Sequence, residues 1–186
     1  MKYLIAGLGN IGTEYELTRH NIGFLVLDRL IDKFDGKFEH DRLAYVADFK
    51  HKGRAIHLIK PTTYMNLSGK AVNYWMKELK ISKENVLVVT DDIALPFGKL
   101  RMRAKGSNAG HNGLKNIEQI LGGNDYARLR FGVGNDFAKG KQVDFVLSNF
   151  DQDQMANITE RIDKACEMIL SFCSIGIERT MNFYNE

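Results

Sequence analysis

The stretch from Lys2 to Leu8 is short, apolar and closed by Gly7-Leu8-Gly9-Asn10-Ile11-Gly12. A run of that length reads as a buried strand, and a buried strand needs cover on both of its faces. Val86 to Val89 is a second such run, and it ends at Asp91-Asp92. Around these runs lie segments of helical period. Phe24, Leu27, Ile31 and Phe34 share one helix face, and Met155, Ile158, Ile162, Ala165, Ile169 and Phe172 trace a long one near the C-terminus. Asn66 or Ser68 can cap a helix running to about Leu79, and Gly113 to Leu121 is a short helix ended by Gly122-Gly123. Strands interleaved with helices predict an α/β fold, a three-layer α/β/α sandwich. Arg42 to Phe49 and Arg54 to Ile59 alternate as two strands joined near His51-Lys52-Gly53, and Tyr126 to Val133 reads as another. That hairpin argues against an all-parallel sheet, so the central sheet is expected to be mixed and mostly parallel. No repeat or linker divides the 186 residues, which read as one domain, 1–186.

Gly7 to Gly12 also fits G-x-G-x-x-G, the phosphate turn of dinucleotide folds. That motif needs a helix to begin at its glycines, so that the helix N-terminus can hold a pyrophosphate. Here the polar stretch Thr13 to His20 intervenes, and the acids at the right distance, Asp28 and Asp32, fall inside the predicted helix. The simpler account is a turn that lets a polar loop cross the carboxyl edge of the sheet, where α/β proteins place their ligand sites.

Four polar clusters follow predicted strand ends: Asn10 with Tyr15 and His20; Thr62-Thr63-Tyr64-Met65-Asn66; Asp91-Asp92; and Gly106-Ser107-Asn108-Ala109-Gly110-His111-Asn112-Gly113. Taken singly, each is an ordinary loop, since asparagine and glycine favour turns. Together they bring a histidine, a carboxylate and several asparagines to one edge. Histidine can take a proton from water near neutral pH, and a neighbouring carboxylate fixes its tautomer. Carboxamides can donate to a developing oxyanion. No G-x-S-x-G elbow is present and neither cysteine is placed beside a histidine, which points to direct attack by water. His20, His40, His51, His57 and His111 lack metal-ligand spacing, so no metal and no cofactor are expected.

The net charge is only +3, but the cations are patterned. Lys99-Leu100-Arg101-Met102-Arg103-Ala104-Lys105 alternates with period two, which puts four cations on one strand face, and Arg128-Leu129-Arg130-Phe131 repeats the device. Either these are plain solvent-facing strands or they meet an anionic partner such as phosphate. Cys166 and Cys173 lie two helical turns apart, too far to bond, and read as buried reduced thiols. With no apolar run of the ~20 residues that span a bilayer, and no signal segment, no membrane is expected and the compartment expected is the cytoplasm.

Gly7-Leu8-Gly9-Asn10, Gly12, Tyr15 and Thr18-Arg19-His20-Asn21 resemble the N-terminal motif of bacterial peptidyl-tRNA hydrolases. Lys60-Pro61-Thr62-Thr63-Tyr64-Met65-Asn66-Leu67-Ser68-Gly69 is similar to their second motif. Asp91-Asp92 to Leu95-Pro96, and Gly110 to Lys115, are similar to the third and fourth, in the family's order. The resemblance implies a monomer that hydrolyses the ester between a peptide and the terminal ribose of tRNA. It implies that His20 is the general base and that Asp91 holds its basic form. Asn10 would separate blocked from free aminoacyl-tRNA, and Tyr15, Tyr64, Asn66 and Asn112 would contact the peptide and the tRNA end. Arg101, Arg103 and Arg130 would clamp phosphates of the acceptor arm, with Lys105 and His111 as further candidates. The chain departs from the family at Ile11, where proline is usual, at Ala94, where a second acid is common, and at Ser107-Asn108-Ala109 in the glycine-rich loop. Two rivals stand beside this: a non-catalytic RNA-binding protein on the same scaffold, and an esterase of small molecules, which would have no use for the cationic strands.

Overall fold

The computed structural model describes residues 1–186. Seven strands form one sheet: β1 (Lys2–Gly7), β2 (Glu39–Asp41), β3 (Ala44–His51), β4 (Arg54–Pro61), β5 (Val86–Asp92), β6 (Leu100–Arg103) and β7 (Ala127–Gly132), in the order β2-β3-β4-β1-β5-β7-β6. The four central strands β4, β1, β5 and β7 run parallel, while β2, β3 and β6 pair antiparallel at the two sides. The helices are α1 (Ile22–Asp32), α2 (Ser68–Leu79), α3 (Asn112–Leu121), α4 (Gln142–Val146), α5 (Gln152–Ile175) and α6 (Ile177–Tyr184).

The two sheet faces explain the layers. Along β5 the side chains alternate, so Leu87 and Val89 enter one apolar core with Val26, Leu30, Ile162 and Ile169 of α1 and α5. Val86 and Val88 enter the other, with Val72 and Trp75 of α2 and Leu114 and Ile117 of α3. Every residue of β5 is buried, which is why its first four, Val86 to Val89, read as an unbroken apolar run. Helix α5 starts at a reciprocal cap, with the Asp151 side chain accepting from Gln154 N–H and the Gln154 side chain accepting from Asp151 N–H. It stops at Gly176, φ 91°. Cys166 and Cys173 are both free and buried in it, and burial pushes each thiol up to about 12.

β1 has β4 on one side and β5 on the other, so the chain leaves it in both directions. The crevice this opens at the carboxyl ends of parallel strands is where ligands bind in such sheets. No helix begins at the glycines, since only a short turn, Thr13–Tyr15, follows them. Their use is close approach instead. A Cβ on Gly7 would strike the backbone of Gly23, and one on Gly23 would strike Leu8 and Val89. Without side chains the start of α1 lies directly on β1 and β5, which carries the preceding turn, Arg19–Asn21, onto the end of the sheet. No helix is long and apolar enough to cross a membrane.

Candidate active site

A cleft of about 320 Å³ opens at this edge. Among its lining are Asn10 after β1, His20 from the following turn, Tyr64 and Asn66 after β4, and Asp91 at the end of β5. His111 and Asn112 at the start of α3, and Arg130 from β7, complete this group. Tyr15, Arg101, Arg103 and Lys105 lie outside the lining.

His20 and Asp91 are 9% and 4% exposed, and Nδ1 of His20 sits 2.9 Å from Oδ2 of Asp91. The other carboxylate oxygen, Oδ1, is 2.8 Å from Nε2 of His111, so one carboxylate bridges two imidazoles. The His111 ring is oriented by a helix start, because its Nδ1 accepts from the N–H groups of Gly113 and Leu114. The ring proton of His111 therefore resides on Nε2 and points at Asp91, with Thr90 Oγ1 2.9 Å away. Burial alone would raise the Asp91 carboxyl, but the charges and hydrogen bonds of His20 and His111 outweigh it and hold it well below the usual carboxylate range. Burial alone would lower the His20 ring, and here Asp91 outweighs it, so the net direction is upward. The expected role for Asp91, holding His20 in its unprotonated form, does not follow from this sign, which makes the ring a stronger base and favours its protonated form. A carboxylate favours the imidazolium, so Asp91 orients the ring and stabilises its protonated form. With Nδ1 donating to Asp91, Nε2 of His20 makes no protein hydrogen bond.

Asn10 is held as firmly. Its backbone N–H donates to Asn21 Oδ1 at 2.8 Å, and Asn21 Nδ2 donates back to Asn10 O at 2.8 Å. Asn10 Oδ1 accepts from Met65 N–H at 2.7 Å, which fixes the amide and leaves Nδ2 as the donor without a protein partner. The Met65 N–H is aimed there by Tyr64, whose backbone adopts φ 61°, ψ 162°, a conformation that costs a non-glycine residue ~1–3 kcal/mol. Asn66 and Asn112 are exposed, with carboxamides unpaired within the protein. Neither Asn66 nor Ser68 caps α2; the Ser68 hydroxyl donates to Met65 O instead.

His20, Asp91 and His111 are also the grouping able to hold a cation, since their ligand atoms lie within 4.8 Å of one another. Each nitrogen–oxygen pair is at hydrogen-bond distance, and a cation between them would have to break both bonds.

The cationic strands divide. Arg101 faces Arg130 and Arg103 faces Arg128 across the β6–β7 pair, so four arginines share one sheet face. Arg128 is fully buried and donates to the carbonyls of Gly106, Asn124 and Tyr126, so it is no part of a surface row. Arg130 lies 3.4 Å from Asp92 Oδ2 and donates to Ser107 O. Arg101 donates to the main-chain oxygen of Glu186, while Arg103 and Lys105 are exposed.

A family model described as peptidyl-tRNA hydrolase matches residues 4–186. The chain belongs to that family. It is 58% identical over 185 residues to a peptidyl-tRNA hydrolase of Cytophaga hutchinsonii, covering 100% of this chain and 98% of that one. It is 58% identical over 186 residues to another of Phocaeicola vulgatus, covering 100% of both. The crystal structure of peptidyl-tRNA hydrolase from Acinetobacter baumannii is similar with a TM-score of 0.92 at 31% identity, over 98% of this chain and 94% of that one. The mixed α/β sheet is thus the family's fold.

Sequence reasoning gave His111 only a minor place, because a histidine in a glycine-rich loop carries no mark of the helix start that orients it. It missed Asn21 as the partner of Asn10. It also missed the wall formed by Gln142, Val143, Val146 and Leu147, for which a five-residue helix offers no periodic signal.

Proposed function

We propose that this chain hydrolyses the ester joining a peptide to the 3′-terminal ribose of tRNA, recycling peptidyl-tRNA in translation, and that His20 is the general base. The observation that carries this is the His20–Asp91 hydrogen bond, which leaves Nε2 of His20 free at the cleft among Asn10, Asn66 and Asn112. Nε2 takes a proton from a water that attacks the ester carbonyl. Asp91 stabilises the imidazolium formed, and His111, sharing that carboxylate, fixes its position. The proton then passes to the leaving ribose oxygen. Asn66 and Asn112 carboxamides steady the water or the oxyanion.

Selectivity follows from the fixed Asn10 amide. Its free Nδ2 donates to a carbonyl of the blocked acyl group, whereas a free aminoacyl group brings an ammonium that this donor cannot accept. Tyr64 and Tyr15 pack the peptide and the tRNA end. Arg101, Arg103, Lys105 and Arg130 take phosphates of the acceptor arm, with Arg130 trading Asp92 for phosphate. In this reading the protein works in the cytoplasm as a single-domain monomer, without metal or cofactor. A non-catalytic RNA-binding role would leave no use for the intact His20–Asp91 pair. The test is deacylation of N-acetyl-aminoacyl-tRNA beside unblocked aminoacyl-tRNA. Rapid release from the blocked substrate alone supports the proposal; binding with no release, or equal release from both, defeats it.

A further inference from the structure

Arg19 immediately precedes His20, yet its side chain turns away from the cleft and is buried. Its guanidinium reaches the far end of the short helix α4. Nη1 donates to Ser148 Oγ at 2.6 Å, to Asn149 O at 2.8 Å and to Phe145 O at 3.4 Å, while Nη2 donates to Gln154 Oε1 at 3.1 Å. The Phe145 ring lies beneath the guanidinium, 4.2 Å from its carbon. One side chain thus bolts together the last turn of α4, the start of α5 and the turn that carries His20. Val143 and Val146 of α4, with Leu147 just after it, line the cleft, and Val143 is 63% exposed. Val143 and Leu147 thus leave apolar surface open on a cleft that asparagines and histidines also line, where an apolar group can cover it.

We infer that Arg19 is a positioning residue that sets this apolar wall against His20, and that the wall seats the side chain of the acyl residue attached to tRNA. The inference rests on the proposed hydrolysis. Only a guanidinium supplies several donors in a fixed fork together with a flat face for Phe145. Lysine keeps the charge but not the fork. The backbone ties of the His20 turn do not use this side chain: Arg19 N–H donates to Ser148 O, and Phe150 N–H to Leu17 O. Replacing Arg19 by lysine should therefore loosen the wall while leaving the His20–Asp91 pair in place.

The experiment compares kcat/KM for N-acetyl-phenylalanyl-tRNA and N-acetyl-glycyl-tRNA in the wild type, Arg19→Lys, Leu147→Ala and the double variant. Relative to wild type, Arg19→Lys should lose roughly tenfold of the phenylalanyl over glycyl preference. The loss should fall mainly on KM, with the acid limb of the pH profile unmoved. Leu147→Ala should lose a similar share, and the double variant less than the product of the two. An unchanged preference in Arg19→Lys overturns the inference. So does an equal loss on both substrates, or a shifted acid limb, either of which places its effect on His20. If Arg19→Lys does not fold, Phe145→Leu removes the ring and keeps the carbonyl acceptors, and the same outcomes decide. A wild type that hydrolyses neither substrate refutes the hydrolase proposal itself.

Discussion

One carboxylate shared by two imidazoles sets the residue-scale behaviour. Because Asp91 raises His20, kcat/KM should fall with unit slope as pH drops through a value above the ordinary 6.5. Asp91→Asn should move that limb to lower pH and depress the plateau, and a pH–rate profile across the neutral range would show both; an unmoved limb would separate Asp91 from His20. Stability carries the same signature. The raised His20 contributes below 6.5 and loses its contribution as pH rises through its folded value, whereas the depressed Asp91 contributes above 3.8 and loses its contribution as pH falls towards its folded value. The Tm gap between wild type and Asp91→Asn should therefore be widest between 3.8 and 6.5 and shrink on either side. Asn10 supplies a second test. Asn10→Asp keeps the acceptor for Met65 N–H and replaces the free donor with an acceptor, so the blocked-to-free ratio of kcat/KM should narrow by about tenfold. An unaltered ratio would assign selectivity to another group.

At the scale of elements, two arginines one pleat apart on β7 have different fates. Arg128 is sealed beneath the segment that leads into the glycine-rich loop and satisfies three carbonyls, so Arg128→Lys should cost about 2–4 kcal/mol in denaturant unfolding. Exposed Lys105→Ala should cost under about 0.5 kcal/mol; equal costs would contradict the buried latch. The alternation of Arg128-Leu129-Arg130 gave the shared face correctly, but it could not tell a face covered by the loop from one open to solvent. Other elements were legible in proportion to their length and period. β1, β5, α1 and α5 announce themselves through apolar runs or one-sided stripes. β2 has three residues and α4 five, too few for a period to show. α6 carries no such stripe, because Gly176 ends the long one and the helix beyond it buries only Thr180. The site was legible as residue types at strand ends. Its connections, Asn21 to Asn10 and His111 to Asp91, depend on tertiary approach that spacing does not encode.

For the whole molecule, a sheet whose parallel strands end together gathers loops from four separate regions of the chain, and an arginine-bearing edge lies beside them. Net charge is too small to hold a polyanion by itself, so affinity should depend on that edge. Arg101→Glu with Arg103→Glu should weaken tRNA binding and lower the slope of log K against log salt by about one unit for each phosphate no longer neutralised. An unchanged slope would move the RNA elsewhere on the surface. A proton taken by one ring at the meeting point of these loops is the central step. Single-turnover hydrolysis of N-acetyl-aminoacyl-tRNA by His20→Ala, with tRNA binding followed in parallel, tests it most directly. The prediction is a rate reduced about a hundredfold to ten-thousandfold with affinity for tRNA largely kept; turnover near the wild-type rate would contradict it.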